Sequence, residues 1–363
     1  MNYFDLHLQV ENFINSLKKS ETSFKPVLDG LTESGKNIEL GFTCYALKTL
    51  YTINSLTVTD SKEIKKFSEF IKSFSKNKKS FPDYSFIDEN YLNGYKKKYF
   101  LKLFKNFVKF SLGRLKFVEI SPNFKLKEFI SAETKQAIST LNQIGVEFTE
   151  YAAGYPNDEV SIKKFSNSLD WSKPWNAGAQ LSGVCIFNSY LLNKNNIREI
   201  MDDILKKLVQ SDGAYYLGKN IGHSEKINGA MKVITGMDWL GIEIHKPKEL
   251  IDICLSHKPN SEGCDLVDVV YVLFKCNQLT DYRNEDIKVY LERLLPSIMS
   301  HYHADYGGFS YFKNKSQTHY YGVEISKGLN TPDIHGTTLL VWALAMIFKI
   351  LGDGYPDWSI IKP

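Results

Sequence analysis

The sequence predicts an all-α protein, an α/α toroid in which helical hairpins stack and close into a barrel around a central cavity. Two observations carry that expectation. One plan recurs along the chain: a glycine-bearing turn with an aromatic residue, a polar loop, and an apolar helix that opens on small residues. Its clearest copies run from Asp212-Gly213-Ala214-Tyr215-Tyr216 to Asn228-Gly229-Ala230 and from Gly307-Gly308-Phe309-Ser310-Tyr311 to His335-Gly336-Thr337. A weaker copy runs from Tyr151-Ala152-Ala153-Gly154 to Asn176-Ala177-Gly178-Ala179. Self-similarity at this spacing is the signature of a repeat architecture. Finally, the helices after these turns are apolar on most sides while those between them are amphipathic, and a helix apolar all round is buried all round.

Taken in order, residues 3–19 read as a helix with Phe4, Leu8, Phe13 and Leu17 near one face. Gly41 to Asn54 is the first inner helix, again opening on a small residue. Residues 60–130 change composition, with lysine and phenylalanine dominant. From Tyr99 to Phe117, Phe100, Phe104, Phe107, Val108 and Leu115 share a helical face, and Lys102, Lys105, Lys109 and Lys116 lie largely away from it. That pattern describes an outer helix with a solvated basic face. The same basic segment, 96–116, is where a peripheral contact with an anionic membrane, or with a phosphate-bearing substrate, would fall. Ser131 to Ile144 is expected as an outer helix, capped by Ser131, stopped by Gly145 and exposing Glu133 and Lys135. Residues 195–209 and 286–299 are further outer helices, and Pro296 is expected to kink or shorten the second. The remaining inner helices are 177–192, 228–240, 265–276 and 335–351. No Pro/Gly-rich linker divides the chain, so 1–363 reads as one domain, irregular over 1–130 and regular in its repeats over 131–352.

Length alone would suggest two domains, but each hairpin of a toroid adds to one continuous core. Apolar content of 43% and charged content of 24% describe an ordinary soluble globular protein. A net charge of +4 over 363 residues does not describe a dedicated nucleic-acid binder. The five cysteines are odd in number and form no C-x-x-C pair, which argues against a disulfide framework and a thiolate zinc finger. The first 19 residues carry Asp5 and Glu11 and read as an amphipathic helix, not a signal peptide. No stretch approaches the roughly 18 uninterrupted apolar residues of a membrane span, so cytoplasmic residence is expected.

Polar and aromatic residues concentrate between His301 and Thr337, where His301, His303, His319 and His335 join Tyr302, Tyr306, Tyr311, Tyr320 and Tyr321. The connection from Tyr311 to His335 is long and polar for a compact helical domain, and such loops are commonly lids or binding loops. Asp333 is placed to cap the helix that follows. His335 then falls on its first turn, at the rim of the cavity, where an imidazole can act as acid, base or ligand. Asp265 and Asp268 are three apart on one side of a helix, Asp265 as a cap and Asp268 at the head of an apolar run, pointing inward. His223, Glu225 and Asn228 occupy the equivalent rim of the preceding repeat, and Trp175 and Asn176 the rim before that. No P-loop, G-x-G-x-x-G, H-E-x-x-H or G-x-S-x-G motif occurs. Asp202-Asp203 has no downstream partner motif for magnesium and reads as solvated surface.

The arrangement over residues 130–352 resembles the α/α-toroid superfamily of terpenoid cyclases and protein prenyltransferase β-subunits. Gly307-Gly308-Phe309 followed by Asp333-Ile334-His335-Gly336-Thr337 is similar to the prenyltransferase segment that runs from a Gly-Gly turn to a zinc-binding histidine. Leu266-Val267-Asp268 is similar to the segment carrying that family's zinc-binding aspartate. The resemblance thus places Asp268 and His335 at ligand positions. The family's cysteine ligand would stand two residues after the aspartate, where this chain has Val270. A catalytic zinc site needs three protein ligands and an open position, so neither zinc nor protein prenylation is expected. The D-x-D-D signature of class II terpene cyclases is absent. The Cys-His-Gly of lanthionine-cyclase-like toroids becomes Ile334-His335-Gly336.

The expected function is that of a cavity enzyme, a cyclase, lyase or isomerase, using metal-independent acid/base chemistry on a small amphiphilic or isoprenoid substrate. His335 is its proton-transfer group, Asp268 the partner or orienter, and Tyr321 or Tyr320 a second acid. Two alternatives stand beside it. One is an intracellular carbohydrate epimerase or lyase in which Trp175, Tyr216, Phe309 and Tyr311 stack on a sugar. The other is a binding or scaffold toroid without chemistry. Neither a cofactor nor an obligate protein partner is inferred.

Overall fold

The computed structural model describes residues 2–56, 61–111, 122–148, 154–191, 193–260 and 263–363, with side chains omitted for residue 61 and for 102–111 and 122–124. The chain is predominantly helical. After a 3-10 turn at Tyr3–Asp5 come α1 (Leu6–Ser16), α2 (Glu33–Asn37), α3 (Leu40–Thr52) and α4 (Ser61–Lys72). A short hairpin of β1 (Ser75–Lys76) and β2 (Ser85–Phe86) precedes α5 (Glu89–Ser111), α6 (Pro122–Gln143), α7 (Glu159–Ser168) and α8 (Pro174–Asn188). Then follow α9 (Lys194–Leu208), α10 (His223–Leu240), α11 (Pro247–Ser256), α12 (Gly263–Asn277) and α13 (Asn284–Met299). Two small antiparallel hairpins, β3 (Tyr302–His303) with β4 (Gly308–Phe309) and β5 (His319–Tyr320) with β6 (Val323–Glu324), lead into α14 (Ile334–Leu351).

Six helices pack in a cycle: α3 on α6, α6 on α8, α8 on α10, α10 on α12, α12 on α14, and α14 back on α3. Their residues explain the position. In α3 nearly every side chain from Leu40 to Leu50 is buried, and α14 is buried from Ile334 to Phe348 apart from His335 and Leu339. Each such aliphatic side chain contributes roughly 1.5–3 kcal/mol when fully buried. Small residues let these helices approach closely. A Cβ at Gly229 of α10 would stand 2.6 Å from Pro174 Cβ and 2.9 Å from the Pro174 carbonyl carbon of α8. Outside the cycle, α9 lies on α8 and α10, α11 on α10 and α12, α13 on α12 and α14, and α4 on α3 and α6. In α9, Ile197, Ile200, Met201, Leu205 and Leu208 face inward at helical spacing while its lysines stay in solvent.

Hydrogen bonds join the two ends of the chain. The Thr49 and Thr338 hydroxyls of α3 and α14 meet at 2.9 Å. Backbone bonds run from Thr32 N to Ile325 O at 3.1 Å, from Lys327 N to Gly30 O at 2.8 Å and from Ile334 N to Pro26 O at 2.9 Å. Ile334–Leu351 has the length and apolarity of a membrane span, but here it is a core helix held between α3 and α12.

Four expectations need correction. The helix at 131–144 is not an outer one: it is the second half of α6, packed between α3 and α8. Its charges mislead because they find partners inside, so Glu133 is fully buried and Lys135 half-buried. Pro296 does not shorten α13, which runs to Met299 with Ser300 N still bonded to Pro296 O. One absent N–H near a helix end removes a single bond. The connection from Tyr311 to His335, read as a long polar lid or binding loop, is in good part packed. It contains the β5–β6 hairpin and buries Ser316, Tyr320, Val323, Ile325 and Ser326. The face of α5 read as apolar is open at Phe100, which is 69% exposed. The side chains of Lys102, Phe104, Lys105, Phe107, Val108 and Lys109, residues Leu115 and Lys116, and the turn at Tyr151-Ala152-Ala153 lie outside what is described. All five cysteines are free thiols.

Candidate functional site

His335 is the second residue of α14, and its surroundings are set by the cap of that helix. Asp333 accepts from Gly336 N at 2.7 Å, which fixes the first turn. Its second oxygen accepts from Tyr311 N at 2.7 Å and Gln317 N at 2.9 Å. The same two residues hold the imidazole. The Tyr311 ring stacks on His335 at 5.2 Å, Tyr45 of α3 stacks at 4.6 Å, and Nδ1 lies 3.0 Å from Gln317 Oε1. With the amide oxygen accepting, Nδ1 carries the proton and Nε2 the lone pair. Burial, aided by the charge of Lys232, pushes the imidazole down to about 3, so it is neutral at physiological pH.

Asp268 lies one turn into α12, 1% exposed. Neither of its oxygens has a hydrogen-bond partner, and Lys232 Nζ of α10 stands 3.9 Å from Oδ1. Burial raises its carboxyl to about 6, against the opposing pull of Lys232. Asp268 and His335 are therefore not a hydrogen-bonded pair: Gln317 orients the imidazole, and Asp268 faces lysines. Lys135 of α6 feels both Lys232 and Asp268, and its Nζ donates to Ser182 Oγ of α8 at 3.4 Å. Lys48 of α3 donates to Ser139 Oγ at 2.7 Å and to Gln136 Oε1 at 3.4 Å.

Lys135 also forms part of the wall of a cleft of about 820 Å³ between α6, α8 and the β1–β2 turn. The other walls are largely aromatic and aliphatic, with Phe81, Phe129, Tyr155, Phe165 and Val184, and Gly183 and Ala179 keep the α8 side open. Tyr321 enters this cleft from the β5–β6 turn, stacked on Phe129 at 5.4 Å. Its φ is +41° and that of Gly322 +82°, as a two-residue hairpin turn requires. An aromatic residue in the left-handed region carries strain of order 1 kcal/mol, and such strain gathers at functional sites. Burial pushes its phenol above the usual range. Tyr320, the neighbouring residue, points the other way. It is 2% exposed, and its hydroxyl donates to Glu133 Oε1 at 3.1 Å. Its ring lies across α3 at Gly41, where a Cβ would meet the hydroxyl at 2.0 Å. Burial and the charge of Asp88 hold the Glu133 carboxyl well above its ordinary range.

The other sequence candidates divide. Asn176 lines the cleft and accepts from Gln180 Nε2 at 2.7 Å. Trp175 is 40% exposed and lies outside it, its backbone N–H on Glu225. Tyr216 donates to Asp212 under Lys226, His223 is exposed at the start of α10, and Asn228 lies beside Ser224 and Asp265. Phe309 is wholly buried and bonded to Thr337 through its backbone. Asp202 is not merely solvated, since it holds His245 Nε2 at 2.9 Å and Lys206 at 2.5 Å. Sequence reasoning missed Lys48, Lys135, Lys232, Glu133 and Gln317. For Lys48 and Lys232 a signal existed, because each is the lone charge inside an otherwise apolar stretch of an inner helix. Among the described residues no three His, Cys, Asp or Glu side chains converge as a metal site would need. Comparison of the chain with protein-family models, with curated proteins and with solved structures finds no match.

Proposed function

We propose that the chain is an α/α toroid of the terpenoid cyclase and prenyltransferase kind, and that it performs acid/base chemistry on a small amphiphile held in the cleft between α6 and α8. The cyclic packing of six inner helices supports the architecture. The observation that carries the chemistry is Asp268: a carboxylate 1% exposed, without a hydrogen bond, raised to about 6 and within the field of a cleft lysine. Asp268 does not itself line the cleft and is linked to it through the charge of Lys135, which does; a buried carboxylate with a value near the working pH suits proton transfer. This moves the proton-transfer role from His335 to Asp268. His335, neutral and clamped between two tyrosines, does not line the cleft and keeps a structural role at the head of α14, while Tyr321 serves as a cleft wall. The aromatic and aliphatic lining favours an amphiphile over a sugar.

The test is turnover. Purified protein is incubated with the lipid and the polar fractions of a cell extract, and each is followed by mass spectrometry. The reading expects a species of the lipid fraction to be converted by the wild type and left unchanged by Asp268→Asn. Conversion confined to the polar fraction, or equal conversion by the variant, would overturn it. A second reading, a binding toroid without chemistry, is favoured by the lack of a direct Asp268–His335 bond; it predicts retention of a lipid species without conversion.

A further inference from the structure

Lys135 differs from the other lysines of the inner helices in lining the cleft, where it is half-buried beside Phe129, Ala132, Tyr155 and Val184. Little there supports an ammonium. Among the described residues its Nζ makes a single hydrogen bond, 3.4 Å long, to Ser182 Oγ of α8, and that hydroxyl donates onward to Ala179 O at 2.9 Å. Charges reach it from three further helices. Lys232 of α10 and Lys48 of α3 repel its proton, and Asp268 of α12 opposes them without prevailing. Burial, then those two like charges, bring Lys135 down to about 7. The phenols of Tyr155 and Tyr321, which share the cleft wall, are raised by burial and stay neutral. Lys48 is also lowered by burial, to about 8, but it is 3% exposed, bonded to Ser139 Oγ at 2.7 Å and absent from the cleft wall. A primary amine desolvated in an apolar pocket and set near other cations is the environment that makes lysine a nucleophile toward carbonyl groups.

We propose that Lys135 is a nucleophilic amine that forms an imine with an aldehyde or ketone whose apolar chain lies in the cleft. The proposal rests on the cleft reading above and names the functional group of the amphiphile it takes. The step needs no oxidant or reductant. The Nζ lone pair attacks the carbonyl carbon, the C–N bond forms, and one amine proton passes to the carbonyl oxygen to give a carbinolamine. The C–O bond then breaks, and the oxygen leaves as water with the second amine proton. Addition of water reverses both steps and restores the amine. The bond to Ser182 holds Nζ against α8 beside Ala179 and Gly183, the small residues that leave room for a ligand there. At pH 7.5 an amine titrating at about 7 is mostly unprotonated. An ordinary exposed lysine then has roughly one amine in a thousand free.

Trapping in the full chain tests this. Octanal with sodium cyanoborohydride converts an imine to a stable secondary amine, heavier than the lysine by the aldehyde less its oxygen, and peptide mass mapping locates it. At pH 7.5 and limiting octanal, Lys135 is expected to be labelled at least about tenfold faster than Lys79 and Lys127, which are exposed on the same cleft. That ratio should fall as the pH is raised, because the exposed amines lose their protons there and Lys135 already has. Lys232→Met removes a like charge, so it should lower the ratio near pH 7, a change that a merely structural lysine would not show. Octan-1-ol should protect Lys135 and leave the exposed lysines unaffected. Labelling of Lys135 no faster than of Lys79 or Lys127, or a ratio indifferent to pH, would overturn the proposal without recourse to any variant. If calorimetry shows octan-1-ol binding while Lys135 stays unlabelled, the nucleophile is removed and the cleft reading stands. If octan-1-ol neither binds nor protects, the cleft reading falls and the proposal with it.

Discussion

Asp268 and His335 are both pushed by burial toward the neutral form, but they sit on opposite sides of neutrality in their consequences. His335, down at about 3, is uncharged throughout the physiological range. Asp268, raised to about 6, is ionised at pH 7.5 at a cost to the fold. The sign follows from linkage. The folded state keeps this proton between pH 4 and 6 while the unfolded state has lost it, so stability falls as pH rises through that window and levels off above it. Asp268→Asn, which imitates the protonated acid, should therefore stabilise the protein at pH 7.5 by up to about 3 kcal/mol. The gain should vanish near pH 4. Urea denaturation at the two pH values measures it, and a variant less stable than wild type at pH 7.5 would show that the ionised carboxylate is well paired after all. Stabilisation on removing a group is the pattern expected where a site is kept for function at the expense of the fold.

Among the elements, the cap of α14 ties the most together. Asp333 holds the first turn of α14, Tyr311 and Gln317 through three backbone N–H groups, and the last two in turn hold His335. Asp333→Ala should cost about 3–5 kcal/mol, from a lost cap and two further buried donors left unpaired. Hydrogen exchange should rise across 311–317 before it rises in α14 itself, and uniform exchange would contradict that order. The cap was legible in the sequence, because an aspartate before an apolar run has few other uses. Its hold on Tyr311 and Gln317 was not, since those bonds join residues far apart in a segment without periodicity. The inner helices were legible for the same reason α14 was: long apolar runs opening on glycine. α6 was not, because Glu133, Thr134, Lys135 and Ser139 look solvent-facing by type and are buried by partnership with Tyr320, the Phe86 N–H, Ser182 and Lys48. Side-chain pairing across helices leaves no trace in the spacing of one helix.

At the scale of the molecule, the six inner helices form a cycle that only closes when α14 meets α3, and each carries at least one polar side chain: Lys48, Lys135, Gln180, Lys232, Asp268 and His335 in turn. The apolar runs of the sequence announced the inner helices, and those helices pack in a cycle along their apolar sides. The cleft was not announced, because it lies where α6 and α8 fail to fill the space between them. That gap is kept open by Gly183, whose added Cβ would find ordinary contacts, the nearest at 3.6 Å. Gly183→Leu should hence project into the cleft while raising helix propensity by up to about 1 kcal/mol. Calorimetric titration of octan-1-ol into this variant and the wild type, with Tm recorded for both, tests the central claim. The account predicts saturable binding to the wild type, none to Gly183→Leu, and a Tm equal or higher in the variant. Undiminished binding to a variant that keeps its fold would contradict it.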